Sequence, residues 1–77
     1  MSKANPKELF YKQFGARLKK IRLEKKLSIR EVELRGDIDR SILSKIENGS
    51  RNCTIYTLKK IADAMEVDLT EFFRDLD

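Results

Sequence analysis

The stretch from Ser28 to Asn52, SIREVELRGDIDRSILSKIENGSRN, most constrains the fold, because start and stop signals for helices follow each other closely within it. Ser28 and Glu31 have the spacing of a capping box, in which the hydroxyl accepts from one backbone amide of the first turn and the carboxylate from another. The pair therefore predicts a short helix that begins after Ser28 and runs to about Arg35.

A tight turn and a second helix follow. The sequence Gly36-Asp37-Ile38 is predicted to form the turn, because Gly tolerates a positive φ and Asp tolerates it better than most residues. Asp39 is a suitable N-cap, and Gly49 is a suitable left-handed residue beyond a helix end. The second helix is therefore predicted from Arg40 to Asn48. Two short helices across a turn that contains Gly have the helix-turn-helix layout.

The second helix of this pair has two chemically different faces. At about 100° per residue, the apolar side chains fall on one side, namely Ile42, Leu43 and Ile46. The other side has no acidic residue and carries Arg40, Ser41, Ser44, Lys45 and Asn48. Cations mixed with short hydrogen-bonding groups suit a groove lined by base edges and phosphates. An ordinary solvent-exposed face explains these residues equally well.

Hydrophobic spacing is helical along most of the chain, which predicts five helices and no strand. A strong helix start at Asn5-Pro6 opens the first helix, which is predicted to run to about Lys26, with residues 1–5 frayed. Thr54 is the predicted N-cap of the fourth helix, and Asp68, with Glu71 three residues later, is the predicted cap of a short fifth helix over residues 68–76. The predicted apolar stripes are Phe10, Phe14, Leu18 and Ile21 in the first helix, and Ile55, Leu58, Ile61, Ala62 and Met65 in the fourth. The expected fold is a compact all-α domain over residues 1–77, with the helix-turn-helix at 28–48.

Charge is distributed unevenly along the chain, whose formal net charge is +4. Residues 1–26 carry nine basic and two acidic side chains, residues 27–52 carry five of each, and residues 53–77 carry three basic and six acidic ones. This asymmetry favours an oriented approach to a polyanion, with the C-terminal end turned away. Charge alone is better explained by a Lys-rich solvated helix than by a polyanion partner.

Composition limits the chemistry that the chain can perform. A chain of 77 residues has little room for a catalytic cavity beside its core. It has no His and one cysteine, Cys53, so the usual zinc-ligand sets and the Cys-His and Ser-His pairs cannot form. We therefore expect no enzyme activity, no metal and no cofactor, and an inert loop thiol at Cys53 rather than a redox sensor.

The same composition bears on the compartment. A single cysteine excludes an intrachain disulfide and indicates a reducing environment. No apolar run approaches the length that crosses a bilayer, and the first residues, Met-Ser-Lys-Ala-Asn-Pro, lack the apolar core of a signal peptide. We therefore expect a cytoplasmic protein without membrane contact.

Two segments, LSIREVELRGDIDRSILSKIENGSRN and TIYTLKKIADAMEVDLTEFF, resemble the DNA-binding domain of the phage repressor and Cro family, the XRE-type helix-turn-helix regulators. The resemblance runs without a gap from about Phe14 to Phe73. Within that family, Asp39-Arg40-Ser41 and Ser50-Arg51-Asn52 are also similar to the small controller proteins of restriction-modification systems. The resemblance implies a five-helix repressor-like fold and a transcription regulator that binds an operator in double-stranded DNA as a homodimer.

The resemblance also implies roles for particular residues, with the third helix in the major groove. The implied base contacts are Arg40, Ser41, Ser44 and Lys45. The implied phosphate contacts are Ser28, Asn48, Ser50, Arg51, Asn52 and Thr54. The family's partly buried ion pair corresponds to Arg22 and Glu47, and its dimer contact to Leu69, Phe72 and Phe73, of which at least one Phe is expected to be partly exposed.

A protein-interaction module, such as an antitoxin whose main target is a partner protein, is the competing function. Ile29 favours it, because the family usually has there a Gln that touches phosphate. Arg40-Ser41 and Arg51-Asn52 favour DNA binding, because a pure adapter has no need of donors at these spacings. RNA binding ranks lower, since the chain offers no exposed aromatic platform of the usual kind.

Overall fold

The computed structural model describes residues 5–76. Within this range the chain forms four α-helices and one 3₁₀ helix: α1 (Pro6–Glu24), α2 (Ile29–Gly36), α3 (Arg40–Glu47), α4 (Ile55–Met65) and the 3₁₀ helix Leu69–Phe73. The predicted all-α class is confirmed. The predicted fifth α-helix over 68–76 is wrong in type and length, because hydrogen bonds three residues apart make a tighter turn here, such as that from the Glu71 amide to the Asp68 carbonyl.

Side-chain caps begin all five helices of residues 5–76, at the positions that the sequence predicts. A backbone amide two or three residues further along donates to each cap, at 2.7 to 3.1 Å: Asn5, Ser28, Asp39, Thr54 and Asp68. The predicted fraying of residues 1–5 is therefore wrong for Asn5, which caps α1, and residues 1–4 lie outside the described range. At the other end, α1 stops at Glu24, because Lys26 takes a left-handed φ of 59°.

The turn between α2 and α3 is built differently from the prediction. The helix continues through Gly36, and Asp37 takes the left-handed conformation with a φ of 53°. A Cβ on Gly36 would lie 2.7 Å from the side chain of Ile38 and 3.3 Å from that of Ala64. Gly36 therefore serves the close packing of this turn against α4, and the Asp makes the turn itself.

The core lies where the helices converge, and it contains most of the predicted apolar stripes. Leu18, Leu43 and Ile61 are completely buried. Two predicted core residues are wrong: Phe10 is 40% exposed and Ile55 is 80% exposed. Each lies at the first position of its stripe, near the start of its helix, where no other helix of residues 5–76 covers the side chain.

The 3₁₀ helix is too short to be stable alone, and it is held against α1. Phe72 is completely buried and packs edge-on against Phe14, with the ring centroids 6.2 Å apart. Arg17 adds a hydrogen bond from its Nε to the carbonyl of Glu71 at 3.0 Å. Phe72 is therefore a core residue, and its predicted role in a dimer contact is wrong.

The predicted ion pair of Arg22 and Glu47 is present. The guanidinium donates twice to the carboxylate, from Nε to Oε2 at 2.7 Å and from Nη2 to Oε1 at 3.0 Å, and both side chains are buried. Its Nη1 also donates to the Leu27 carbonyl at 2.6 Å. One side chain thus joins α1, the loop before α2 and the end of α3, which sets the position of α3 on the rest of the domain.

Gly15 allows α1 to cross the end of α3 at very short range. A Cβ at this position would lie 2.5 Å from the carbonyl oxygen of Glu47 and closer still to that of Ile46. Both are backbone atoms, which cannot rotate away. This contact places the last turn of α3 directly against α1.

We expect Gly15→Ala to lower the free energy of unfolding by about 1–3 kcal/mol, because the added methyl group overpacks this crossing. The loss should appear although alanine favours a helix over glycine by about 1 kcal/mol. Urea unfolding followed by circular dichroism measures it. Ala16→Gly, the reverse change at the exposed neighbour, is the control and should cost only the helix-propensity difference. A Gly15→Ala protein as stable as wild type would contradict the crossing.

Candidate nucleic-acid interface

The outer face of α3 is polar and carries no acidic residue. Leu43 and Ile46 anchor the helix in the core, while the other side is exposed along its length. The exposed residues are Arg40, Ser41, Ser44, Lys45 and, at the C-cap, Asn48. Glu47, the only acid in α3, is buried against Arg22. The structure therefore brings together on one surface all four residues predicted to contact bases.

Asp39 places one negative charge at the N-terminal end of this surface. Hydrogen bonds from the hydroxyl and then from the amide of Ser41 lower the pKa of the Asp39 carboxyl, so it is ionised at neutral pH. The amide bond is 2.7 Å long and begins α3. Because Ser41 is engaged with this cap, it is less available to bases than Arg40, Ser44 or Lys45.

The N-terminus of α2 carries the predicted phosphate contact Ser28. The Ser28 amide donates to Glu31 at 2.9 Å, and its hydroxyl accepts from the Glu31 amide at 3.1 Å. The bond from the Ser28 amide, and then one from the Ser28 hydroxyl, lower the pKa of the Glu31 carboxyl. Ile29 packs against the core, which accounts for an apolar residue at this position.

The exit loop, residues 48–54, leads from α3 to α4 and carries the other predicted phosphate contacts. The side-chain oxygen of Asn48 accepts from the Ser50 hydroxyl at 2.6 Å, and that of Asn52 accepts from the Cys53 amide at 2.7 Å. These bonds orient both Asn side chains, whose NH₂ groups can then donate outward. Arg51 lies between them and is exposed.

Two predicted phosphate contacts in the exit loop already use their hydroxyl groups inside the protein. Ser50 Oγ lies within hydrogen-bond distance of Asn48 and of the Lys45 carbonyl. Thr54 Oγ1 donates to Thr57 Oγ1 at 3.0 Å and accepts from the Thr57 amide at 3.1 Å. Both side chains therefore order the loop, and they are weaker candidates for phosphate binding than Asn48, Arg51 and Asn52.

An apolar groove of about 170 Å³ lies beside the exit loop, between α1, α4 and the 3₁₀ helix. Its exposed apolar side chains, named here the apolar face, are Phe10, Ile55 and Phe73. The sequence predicts Phe10 and Ile55 as core residues, and nothing in the helical spacing distinguishes them from the buried members of their stripes. Leu69 is half-buried against the core and does not belong to this face.

Cys53 lines the same groove. Its side chain is half-buried, and this burial raises the pKa of the thiol. A thiol with a raised pKa is less often present as the reactive thiolate. The environment agrees with an inert loop thiol.

No His, Cys, Asp and Glu side chains within residues 5–76 form a group of three or more that could hold a metal ion. None of the helices described combines the length and the apolar character that crossing a bilayer requires.

The capped helix α2 is followed by a tight turn and by α3, whose outer face is polar and free of acidic residues. Two short helices joined in this way define the helix-turn-helix class. A family model described as "Helix-turn-helix" matches residues 18–72, and the chain belongs to this family. The match includes α2, α3 and α4 entirely and begins within α1.

Several similar proteins are control or controller proteins. The control protein C.MunI of Mycoplasma sp is 41% identical over 66 residues, covering 84% of this chain and 89% of the relative. The restriction-modification controller protein C.AhdI of Aeromonas hydrophila has a similar structure, with a TM-score of 0.79, 32% identity, and coverage of 82% of this chain and 96% of that one. A structure of the controller protein C.Esp1396I, as a tetramer in complex with its natural 35 base-pair operator, has a TM-score of 0.76 and 36% identity, with 83% and 84% covered. The repressor-like fold that the resemblance implied is thus confirmed.

Proposed function

We propose that this protein is a sequence-specific DNA-binding transcription regulator of the controller type, which binds an operator as a homodimer with α3 in the major groove. The acid-free outer face of α3, continuous with the donors of the exit loop, is the observation that carries the proposal. Controller proteins with similar sequences and folds, one of them bound to its operator, support it. We also propose that residues 5–76 act as one domain, with the helix-turn-helix at 28–48, in the cytoplasm and without enzymatic activity.

The proposed contacts fall into two groups. Arg40, Ser44 and Lys45 reach base edges, with Arg40 able to donate twice to guanine, and Ser41 contributes less. Asn48, Arg51 and Asn52 hold phosphates and fix the position along the duplex, and the hydroxyl of Ser28 assists at the start of α2. Ser50 and Thr54 contribute chiefly by ordering the exit loop that presents these donors.

The proposed dimer contact is the apolar face rather than the three residues that the resemblance implied. Phe73 is retained from that prediction, and Phe10 and Ile55 replace Phe72 and Leu69. Exposed apolar side chains gathered in one groove are typical of a protein contact. Two copies related by a two-fold axis would place two α3 helices on two half-sites.

A protein-interaction module is the second candidate, and the apolar face favours it. Ile29 does not distinguish the two candidates, because it packs against the core. The two functions differ in what α3 does. A module that acts through the apolar face needs no base contacts, so substitutions on α3 would leave its activity unchanged. Selecting an operator from a random DNA pool, followed by the titrations below, separates the two candidates.

We expect Arg40→Ala to weaken binding to the selected operator by about 1–3 kcal/mol and to relax the preference at one position in each half-site. Binding to random duplex should change little, because random DNA is bound through phosphates. Fluorescence anisotropy at several salt concentrations measures both. Arg51→Ala is the matched comparison and should weaken both DNAs alike while reducing the salt dependence.

Lys45→Met is titrated in the same way, since a Lys at this position reaches either a base or the backbone. Weaker binding to the operator alone would indicate a base contact, and equal weakening of both DNAs a backbone contact. Equal weakening of operator and random duplex by Arg40→Ala would make Arg40 a phosphate contact and contradict its assignment. Unchanged binding in all three variants would remove α3 from the interface, and the interaction module would then be the better account.

A further inference from the structure

A polar groove of about 660 Å³ lies between the start of α1 and the exit loop. One wall comes from residues 5–12, among them Lys7, Tyr11 and Lys12, and the other from residues 48–52. The α1 wall precedes the segment that the family model matches, which begins at residue 18. Lys7 and Lys12 therefore lie outside the helix-turn-helix and outside the segment that the family model matches.

Backbone packing fixes the two walls of the groove relative to each other. Gly49 has a φ of 79°, and a Cβ built on it would lie 2.8 Å from the Cα of Lys12 and 3.0 Å from its amide nitrogen. Only a glycine permits so close an approach at this φ. The Lys12 side chain therefore starts from a fixed point beside the exit loop, next to the donors assigned above to phosphates.

The charges that line the groove favour an anion. Lys7, Lys12 and Arg51 are exposed cations, and Glu8 is the one acid among the lining residues. The Lys7 ammonium lies 5.9 Å from the centroid of the Tyr11 ring, a contact that keeps this cation at the α1 wall. A DNA strand held by the exit loop carries further phosphates on both sides of the bound one, and the groove continues from that loop.

We propose that Lys7 and Lys12 bind DNA phosphates beside those held by the exit loop, so that the contact with the backbone extends onto the first turns of α1. This proposal rests on the proposed function, since it assumes that duplex DNA lies along α3. It assigns these lysines to register and affinity and gives them no part in base recognition, because phosphate contacts carry no sequence information directly.

The test uses Lys7→Gln, Lys12→Gln and the double variant in the full chain. Glutamine removes the charge but keeps the Cβ and Cγ atoms, and Lys12 Cγ is among the atoms that pack nearest Gly49. Lys20→Gln is the matched control, because Lys20 is exposed on the same helix but lies eight residues, about 12 Å along the helix axis, beyond Lys12 and outside the lining of the groove. Melting temperatures of all four variants check that the fold is intact.

Each protein is titrated with a random-sequence duplex at several KCl concentrations. We expect each lost phosphate contact to reduce the slope of log K against log salt by about one, hence by about two for a dimer altered at one Lys per protomer. The double variant should lose about four, and Lys20→Gln should keep the wild-type slope.

Three results would overturn the proposal, and they are distinguishable. Wild-type slopes in all variants would remove the α1 contact and leave the proposed function intact. An equal reduction by Lys20→Gln and Lys12→Gln would show a general effect of net charge rather than a contact at the groove. Wild-type protein without salt-dependent binding to any duplex would overturn the proposed function together with this inference.

Discussion

Glu47→Ala is expected to lower the free energy of unfolding by about 3–5 kcal/mol, because it leaves the guanidinium of Arg22 buried without its charge partner. Three hydrogen bonds now satisfy that guanidinium, and only the one to the Leu27 carbonyl survives the substitution. Urea unfolding at a protein concentration where the chain is monomeric gives the value, since dimerisation would otherwise add to the apparent stability.

Two comparisons separate the buried charge from the loss of packing. Asp63→Ala breaks the exposed pair between Lys59 and Asp63, which lie four residues apart on α4, and should cost about 0–1 kcal/mol. The double variant Arg22→Met/Glu47→Leu should recover much of the loss, because no unpaired charge remains buried. A Glu47→Ala protein that unfolds at the same urea concentration as Asp63→Ala would contradict a buried pair.

Phe72→Ala is expected to destabilise the protein by about 3–5 kcal/mol, because it removes a completely buried ring and leaves a cavity against Phe14. The 3₁₀ helix should detach in this variant, because the contacts that remain lie at its edge. They are the Arg17 bonds to Glu71, half-buried Leu69, and the partly exposed Phe73 ring, whose centroid lies 5.3 Å from that of Phe14. Hydrogen exchange of the amides of residues 69–73 measures the detachment, and urea unfolding measures the stability.

Phe73→Ala, one residue along, is the matched control. Phe73 is 47% exposed and its ring centroid lies 5.3 Å from that of Phe14, so its loss should cost about 1–2 kcal/mol in the monomer, less than the loss of Phe72. It should instead weaken self-association in sedimentation experiments at several protein concentrations. A chain that stays monomeric at high concentration and on DNA would contradict the proposed dimer. If Phe72→Ala is the mild variant and Phe73→Ala the severe one, the packing of the 3₁₀ helix described above is wrong.

The sequence alone determined the local features of this protein. All five N-caps within residues 5–76 lie where the sequence predicts them, because a cap joins a side chain to amides only two or three residues away. The outer face of α3 could be predicted for a similar reason, because the fixed rotation of about 100° per residue decides which side chains of a helix share a face. The pairing of Arg22 with Glu47 was implied by family resemblance, as nothing in their spacing of 25 residues brings them together.

Only the tertiary structure decided which residues at the ends of these patterns are buried. Phe72 and Phe73 are adjacent and chemically identical, and the docking of a short 3₁₀ helix on α1 buries one and exposes the other. Ile55 and Phe10 continue apolar stripes, yet no helix within residues 5–76 covers them, so they form the apolar face instead of the core. Burial at such positions depends on what packs there from elsewhere in the chain, and helical periodicity carries no information about that partner.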